Sequence, residues 1–307
     1  MGDDYEPYQW QVGDPSDWGD SVGVPDIPYM GYINNGDGDE DGRPPQQPRL
    51  SKDRELAKRA RELERRGRYD EALDLINQAL DISPRNPNHL NMKAIILDNW
   101  GKFEYALKYY DESLAIANQR VVVENKAQCL YRLAKKHADS FNVREKDLKT
   151  INEALAILPD DYGRNDYLRV KGSILKSLGR QVQAKKCFLL ASGRYDDIEE
   201  VEKQEKFLKE CDGTLISVTG RKFYDGGFRL QKNDIVTLIK EPENKHDHDA
   251  IRIEKDGETV GYVANSPRTV PEGISSASMI IDTFTNNAQA RILFTYLDEY
   301  LIAKLIV

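Results

Sequence analysis

The chain has 307 residues, 39% of them hydrophobic and 31% charged, with a formal net charge of −8, and at roughly 100–200 residues per domain it holds about two domains. No stretch approaches the roughly 18 or more consecutive apolar residues that a membrane span requires, and the acidic start MGDDYEPYQW lacks the basic-then-apolar order of a secretory signal, so a cytoplasmic protein with no membrane partner is expected. Three cysteines, Cys129, Cys187 and Cys211, are odd in number and far apart. They speak against a disulfide frame or a Cys-x-x-Cys zinc site and are expected to be small buried apolar side chains.

The charge is unevenly spread. Residues 1–50 carry eleven acids against Arg43 and Arg49, giving −9; residues 213–307 carry thirteen acids against eleven bases, giving −2; the middle of the chain makes up the remaining +3. The first 50 residues mix Asp, Gly, Pro and Asn with isolated aromatics (Tyr5, Tyr8, Trp10, Trp18, Tyr29, Tyr32) at no sustained period. Such a segment cannot bury enough apolar area to offset its conformational entropy, so a disordered acidic tail is expected. Two roles fit it. It is a solubilising tail, or its alternation of acid and ring imitates the phosphates and bases of a nucleic-acid strand and competes for a binding site elsewhere on the chain. A flexible tail of this length reaches about 40 Å.

From Asp53 the pattern turns helical and repeats every 34 residues: Leu56, Ala60, Leu63, Gly67, Ala72, Ile76 and Ala79 recur as Leu90, Ala94, Leu97, Gly101, Ala106, Tyr110 and Ser113. Small residues at these places let two antiparallel helices approach closely, glycine supplies the turn between them, and Pro84 ends the second helix. The spacing resembles the tetratricopeptide repeat. A further repeat covers 165–192, with Gly172, Leu175, Gly179, Ala184, Phe188 and Ala191 on the same offsets. Residues 121–159 fit only with an insertion of about eight residues, expected as a longer loop around 137–144. The polar helix over 196–210 then closes the last of four repeats and leads into the next domain without a flexible linker. First-helix residues Arg54, Arg61, Arg65, Asn88, Asn91, Arg169 and Lys176 are expected to line the inner groove. Their basic tilt suits an acidic peptide or protein partner, the chain's own tail included; the bland reading is that they are ordinary solvated side chains.

Beyond residue 212 the apolar period falls to two, in IVTLI, AIRIE and TVGYV, the mark of short half-buried strands. Gly226-Gly227, EPENKHDHD and Asp256-Gly257 punctuate them, where the backbone visits positive φ or short polar side chains close a turn. A loop, a short helix near 275–283 and two last strands, 289–296 and 300–307, finish the module, the final strand being integral to a barrel-like sheet.

Three blocks carry a second resemblance: G-x-K-F/Y-Y-x-G at 220–226, E-P-x-N-x-x-D-x-x-A-I at 241–251, and V-G-Y-V at 260–263. Over residues 213–307 the chain resembles the HIRAN domain of helicase-like replication-fork remodellers and small prokaryotic proteins. The resemblance implies that Lys222, Phe223, Tyr224, Asn244, His246, Asp247 and Tyr262 stand where those domains hold the 3′ end of single-stranded DNA. Rings would stack on bases, a cation would take a phosphate, and Asp247 would accept the terminal hydroxyl. An ionised carboxylate accepts from a hydroxyl but repels a phosphate, so it can tell a strand end from its interior. Four positions depart from the family: Lys222 replaces Arg, His246 replaces Tyr, Tyr262 replaces His, and Asn265 replaces Lys. The alternative at these positions is purely structural: Asp247 and Asp249 stabilise the turn while Phe223 and Tyr224 pack on the barrel.

His246 and His248 would share one side of an extended strand, but zinc needs a third protein ligand, so no metal or other cofactor is expected. No Ser-His-Asp spacing, phosphate loop or paired-carboxylate motif is recognisable. The fold class expected is α+β and multidomain: an acidic tail (1–50), an α-solenoid of tetratricopeptide-like hairpins with a capping helix (51–212) and a small β-barrel-like HIRAN module (213–307). The function expected is that of a non-enzymatic adapter, binding single-stranded or 3′-ended DNA in repair or at stalled forks while the repeats recruit a protein. The rival is a protein-interaction scaffold that binds no nucleic acid.

Overall fold

Glycines and small side chains at repeat spacing build the helical part of the chain. The computed structural model describes residues 50–140, 142–159, 163–267 and 269–306, with Phe228 described by its backbone only; apart from Leu50, the expected tail lies outside the described residues. Helices α1 (Lys52–Arg65) and α2 (Tyr69–Ile82) form one hairpin and α3 (Pro87–Asn99) and α4 (Phe103–Ile116) the next. After α5 (Arg120–Ala138) and α6 (Glu145–Ile157) comes the hairpin of α7 (Asn165–Ser177) and α8 (Gln181–Ala191), then α9 (Tyr195–Glu210). Gly67, Gly101 and Gly179 take φ of +72°, +79° and +78°. At each, the glycine N–H bonds the carbonyl three residues back and the next N–H bonds the carbonyl five back, as Gly67 does to Glu64 and Arg68 to Leu63. This left-handed cap satisfies carbonyls that the ending helix leaves open. Ala60, Ala72, Ala79, Ala94, Ala106 and Ser113 are fully buried where the helices touch. At Gly172 a Cβ would lie 2.7 Å from the Phe188 ring, so the α7–α8 crossing requires the missing side chain.

The insertion in the third repeat sits differently from the expectation. Helix α5 runs for 19 residues, against 13 or 14 in α1 to α4, so much of the extra length is helical and His137 belongs to the last turn of α5, not to a loop. His137 Nδ1 lies 2.6 Å from Asp147 Oδ1, and Asp147 Oδ2 accepts the Arg144 N–H at 2.8 Å. The buried Asp147 thereby pins the shortened loop to the start of α6.

A second buried carboxylate joins three helical segments. Asp53, in the first turn of α1, accepts from Ser83 Oγ after α2 and from His89 Nε2 on α3, both at 3.0 Å. His89 is 1% exposed and its Nδ1 has no hydrogen-bond partner, so Nε2 carries the ring proton and donates. Hydrogen bonds from Ser51 and then His89 hold the Asp53 carboxyl far below the usual carboxylate range. A lowered folded pKa gives stability that is fully present above the ordinary carboxyl range near 4 and is lost as pH falls through the folded value. Asp53→Asn should therefore lower the stability of the first hairpins at neutral pH by about 1–3 kcal/mol and flatten their loss of stability below about pH 4, as read by urea unfolding of the helical signal. An unchanged acid limb would rule this carboxylate out as its source.

The strands are β1 (Leu215–Thr219), β2 (Ile235–Lys240), β3 (Ile251–Lys255), β4 (Glu258–Val263), β5 (Asn287–Tyr296) and β6 (Tyr300–Ile306). They form a closed antiparallel barrel in the order β1-β4-β3-β2-β5-β6. The alternating residues of the sequence point inward: Ile216, Val218, Val236, Leu238, Ile251, Ile253, Ala290, Ile292, Leu301 and Ala303 share one core. Asp256-Gly257 turns β3 into β4 with both φ positive, as expected. Strand β6 pairs with β5 on one side and β1 on the other, so it closes the barrel. The helix expected near 275–283 is α10 (Ala277–Ile280) with a 3-10 turn behind it, and its Ala277 and Ile280 join the core. Strand β1 was not foreseen.

The chain divides into two compact units, one running to Leu130 and taking in 157–159, the other comprising 131–156 and 160 onward. Within the second, Leu208 of α9 and Val182 of α8 pack with Leu215, Tyr296, Tyr300 and Ile302 on the outer wall of the barrel. The irregularity in β5 between Ile292 and Phe294 accompanies an edge-on contact of Phe294 with Phe207, ring centres 5.7 Å apart. Lys185 of α8 pairs with Asp298 in the β5–β6 turn. No described helix is long and apolar enough to cross a membrane.

Candidate functional site

Two short 3-10 turns, Arg221–Phe223 and Asp225–Phe228, follow β1 and lie against β4. Gly226-Gly227 was expected to supply positive φ or a turn; neither glycine adopts positive φ. Close approach is the reason for Gly227: a Cβ there would sit 2.4 Å from the Arg221 carbonyl oxygen and 2.8 Å from that of Val260. This folding back carries Lys222 and Phe223 outward. Phe223 is 74% exposed, the most exposed large apolar side chain among the described residues, and the Lys222 ammonium lies 5.0 Å from its ring centre. Tyr224 is half-buried, its ring 6.2 Å from that of Tyr262.

Inward-facing Ile251 and Ile253 leave Arg252 on the outer face of β3, directly across the sheet from Tyr262 on β4. Between them stands Glu241, at the end of β2. Its Oε2 accepts from the Tyr262 hydroxyl at 3.1 Å and from Asn244 Nδ2 at 3.0 Å, and its Oε1 is 2.7 Å from Arg252 Nε. Arg252 also bonds Glu254. Burial, followed by the bonds to Tyr224 and Glu241, pushes the Tyr262 phenol up to about 12, so it stays a neutral donor.

The 241–250 segment is a run of turns, not an extended strand, which removes the geometry that would place His246 and His248 on one side. Both are exposed, and among the described residues no three His, Cys, Asp or Glu side chains are grouped to hold a metal ion. Asn244 Oδ1 accepts the His246 N–H at 3.0 Å. Asp247 Oδ1 accepts the Asp249 N–H at 2.9 Å, and Oδ2 accepts Asn265 Nδ2 at 2.9 Å. Asn265 Oδ1 in turn accepts the Ser278 N–H at 3.0 Å, so an amide ties Asp247 to α10 where the resembled domains have a lysine.

All seven residues singled out in the barrel thus belong to adjoining loops and strands on its outside. Tyr224, Tyr262, Asn244 and His246 are linked by one ring contact, by Glu241 and by the 241–250 turn, and Phe223 adjoins Tyr224 in sequence. Glu241 and Arg252 were missed as site residues; Arg252 was detectable as the outward residue between two inward isoleucines. Glu241 and Glu254 are engaged by Arg252, and Asp234 by Lys255 at 2.7 Å. Arg221, Lys222, Arg229 and Lys245 make no ion pair with a described carboxylate. Burial lowers the Arg221 pKa, yet a guanidinium starts so high that it keeps its charge.

The helical residues are placed less uniformly. Arg54 and Arg65 are exposed, and Arg61 and Asn88 half-exposed, on α1 and α3. Asn91 is buried, its Oδ1 accepting from Asn125 at 3.3 Å, so it joins α3 to α5 and does not line a surface. In the second unit, Arg169 bonds Asp166 at 2.8 Å and lines, with Tyr131, Lys135 and Val170, a cleft of about 250 Å³; Lys176 is exposed.

Residues 214–270 match the HIRAN domain. That span contains every barrel residue named in this section except Ser278, and residues 53–96 match a tetratricopeptide repeat. An imidazole-4-carboxamide isomerase of Clostridium botulinum is 28% identical over 156 residues, 48% of this chain. The chain spans only 56% of the length of that curated relative. Among solved structures, BtubC from P. vanneervenii is similar at 22% identity, covering 50% of this chain and 68% of that one, with a TM-score of 0.37. The first tetratricopeptide domain of Spaghetti bound to an HSP90 peptide is similar at 19% identity, covering 42% and 94%, with a TM-score of 0.31.

Replacing Glu241 with Ala removes the acceptor of Tyr262 and Asn244 and one of the two carboxylates that hold Arg252. Urea unfolding followed by barrel tyrosine fluorescence should register a loss of about 1–3 kcal/mol, and Gly227→Ala a similar loss from overpacking. A Glu241→Ala protein as stable as the parent would show that the carboxylate does not organise this wall.

Proposed function

We propose that this protein is a non-enzymatic adapter whose HIRAN domain holds the 3′ end of single-stranded DNA, as exposed at breaks or stalled forks, and whose tetratricopeptide repeats hold a protein partner. The observation that carries the reading is Phe223, a solvent-facing ring beside Lys222, with the Tyr224–Tyr262 pair next along the wall and with Arg221, Arg229 and Lys245 making no ion pair with a described carboxylate. A buried ring would have served packing alone. Exposed rings stack on bases regardless of sequence, at about 1–3 kcal/mol per base, and unpaired cations take the phosphates. Three carboxylates here, Glu241, Glu254 and Asp234, are compensated by Arg252 and Lys255, which lessens their repulsion of a strand.

Asp247 supplies the end recognition. Each of its oxygens already accepts one bond, and a carboxylate has room for about four acceptor contacts, so a terminal hydroxyl can still be received. The same two internal bonds favour the rival reading, in which Asp247 only shapes its turn and the barrel binds protein. Fluorescence anisotropy with a short single strand separates the two. A free 3′ hydroxyl should bind at least tenfold more tightly than a 3′ phosphate, and Asp247→Ala should erase the difference; equal affinity for the two ends refutes end recognition. If the acidic residues 1–50 compete for this site, their removal should tighten DNA binding, and an unchanged affinity would reject the competition.

A further inference from the structure

The HIRAN match ends at residue 270, but the chain of contacts from Asp247 does not. It runs through the Asn265 side chain, donor to Asp247 Oδ2 at 2.9 Å and acceptor from the Ser278 N–H at 3.0 Å, and so reaches α10 in two hydrogen bonds. The Ala277 N–H also bonds the Ala264 carbonyl at 3.0 Å, which fixes α10 against the end of β4. Helix α10 has four residues, of which Ala277 and Ile280 are sunk in the barrel core. Met279 is 68% exposed, second only to Phe223 among the large apolar side chains of the barrel. A long apolar side chain is thus held out in water by a backbone anchored on both sides, one residue from the amide that is bonded to the Asp247 system.

We infer that Met279 is a further contact residue of the DNA site, packing against the terminal base of the strand whose hydroxyl Asp247 receives. This rests on the function proposed above. A flexible, polarisable thioether adapts to any of the four bases and makes favourable contact with an aromatic ring, so it suits a site that reads an end and not a sequence. It also serves where the lysine of resembled domains is absent: Asn265 brings no charge to this end of the wall, and the amide uses both of its polar ends to seat α10 beside Asp247. The arrangement gives α10, outside the matched span, a part in the same site.

The test compares the full chain with Met279→Ala, Met279→Phe and, as a reference, Phe223→Ala, using single strands with a free 3′ hydroxyl whose last nucleotide carries either its base or an abasic sugar. Met279 is exposed, so these substitutions leave the core alone, and urea unfolding checks that. Met279→Ala should weaken binding of the base-bearing strand by about tenfold, Met279→Phe should restore it, and the difference should vanish on the abasic strand, as a direct contact requires in a double-mutant cycle. If Met279→Ala binds the base-bearing strand as the parent does while Phe223→Ala weakens it, this inference is wrong and the proposed function stands. If the parent binds neither strand, both fall.

Discussion

One carboxylate, that of Glu241, holds the outer wall of the barrel together. Its two oxygens reach a phenol on β4, an amide in the following turn and a guanidinium on β3, so two strands and the turn before them are ordered by a single side chain. A buried or half-buried acid with that many partners is favourable only if all are present, because removal of any leaves a polar group without the water it gave up. Phe223 is displayed beside this wall by a turn that Gly227 seats against Val260 and whose Tyr224 meets the Tyr262 ring. Preorganisation of this kind lowers the entropic cost of holding a ligand.

Much of the architecture could be read from the chain because its causes are local. Gly67, Gly101 and Gly179 announce helix ends by needing a left-handed backbone, and Ala60, Ala72 and Ala79 announce close crossings by lacking bulk. The alternation in β2, β3 and β4 likewise needs no partner to be recognised. What escaped depends on distant chain. The length of α5 escaped because the repeat spacing marks only that extra residues are present, whereas the bonds of Asp147 to His137 and to the Arg144 N–H, which tie the end of α5 to the start of α6, follow no spacing rule. Strand β1, a short apolar run, is indistinguishable by period from a buried helix end. The crowding at Gly227 comes first from the Arg221 carbonyl and then from Val260, over thirty positions away, and neither approach is written in the spacing.

The site divides in the same manner. The seven barrel residues were singled out through three short blocks of resemblance; strand period places only Tyr262, and the other six lie in turns whose course it does not encode. Glu241 and Asn265 act through hydrogen bonds that cross between turns, and no spacing rule encodes such bonds. Asn91 is the converse case: its place on a first helix suggested a surface role, but its repeat-spaced partner Asn125 draws it inside. In a solenoid, a polar residue at a recurring position is as well suited to bridging neighbouring repeats as to meeting a ligand.

Closure of the barrel by β6 has a temporal consequence. The residue pairs Leu215 with Lys304 and Val218 with Leu301 bring together stretches nearly the whole module apart, and such long-range pairings form slowly because their loop entropy is met before any contact rewards it. Helical hairpins, by contrast, mature from neighbours as the ribosome delivers them. A nascent chain would therefore own a finished helical array while β1 still waits for its second neighbour, and the outer wall acquires its final form only once that last strand has been threaded home.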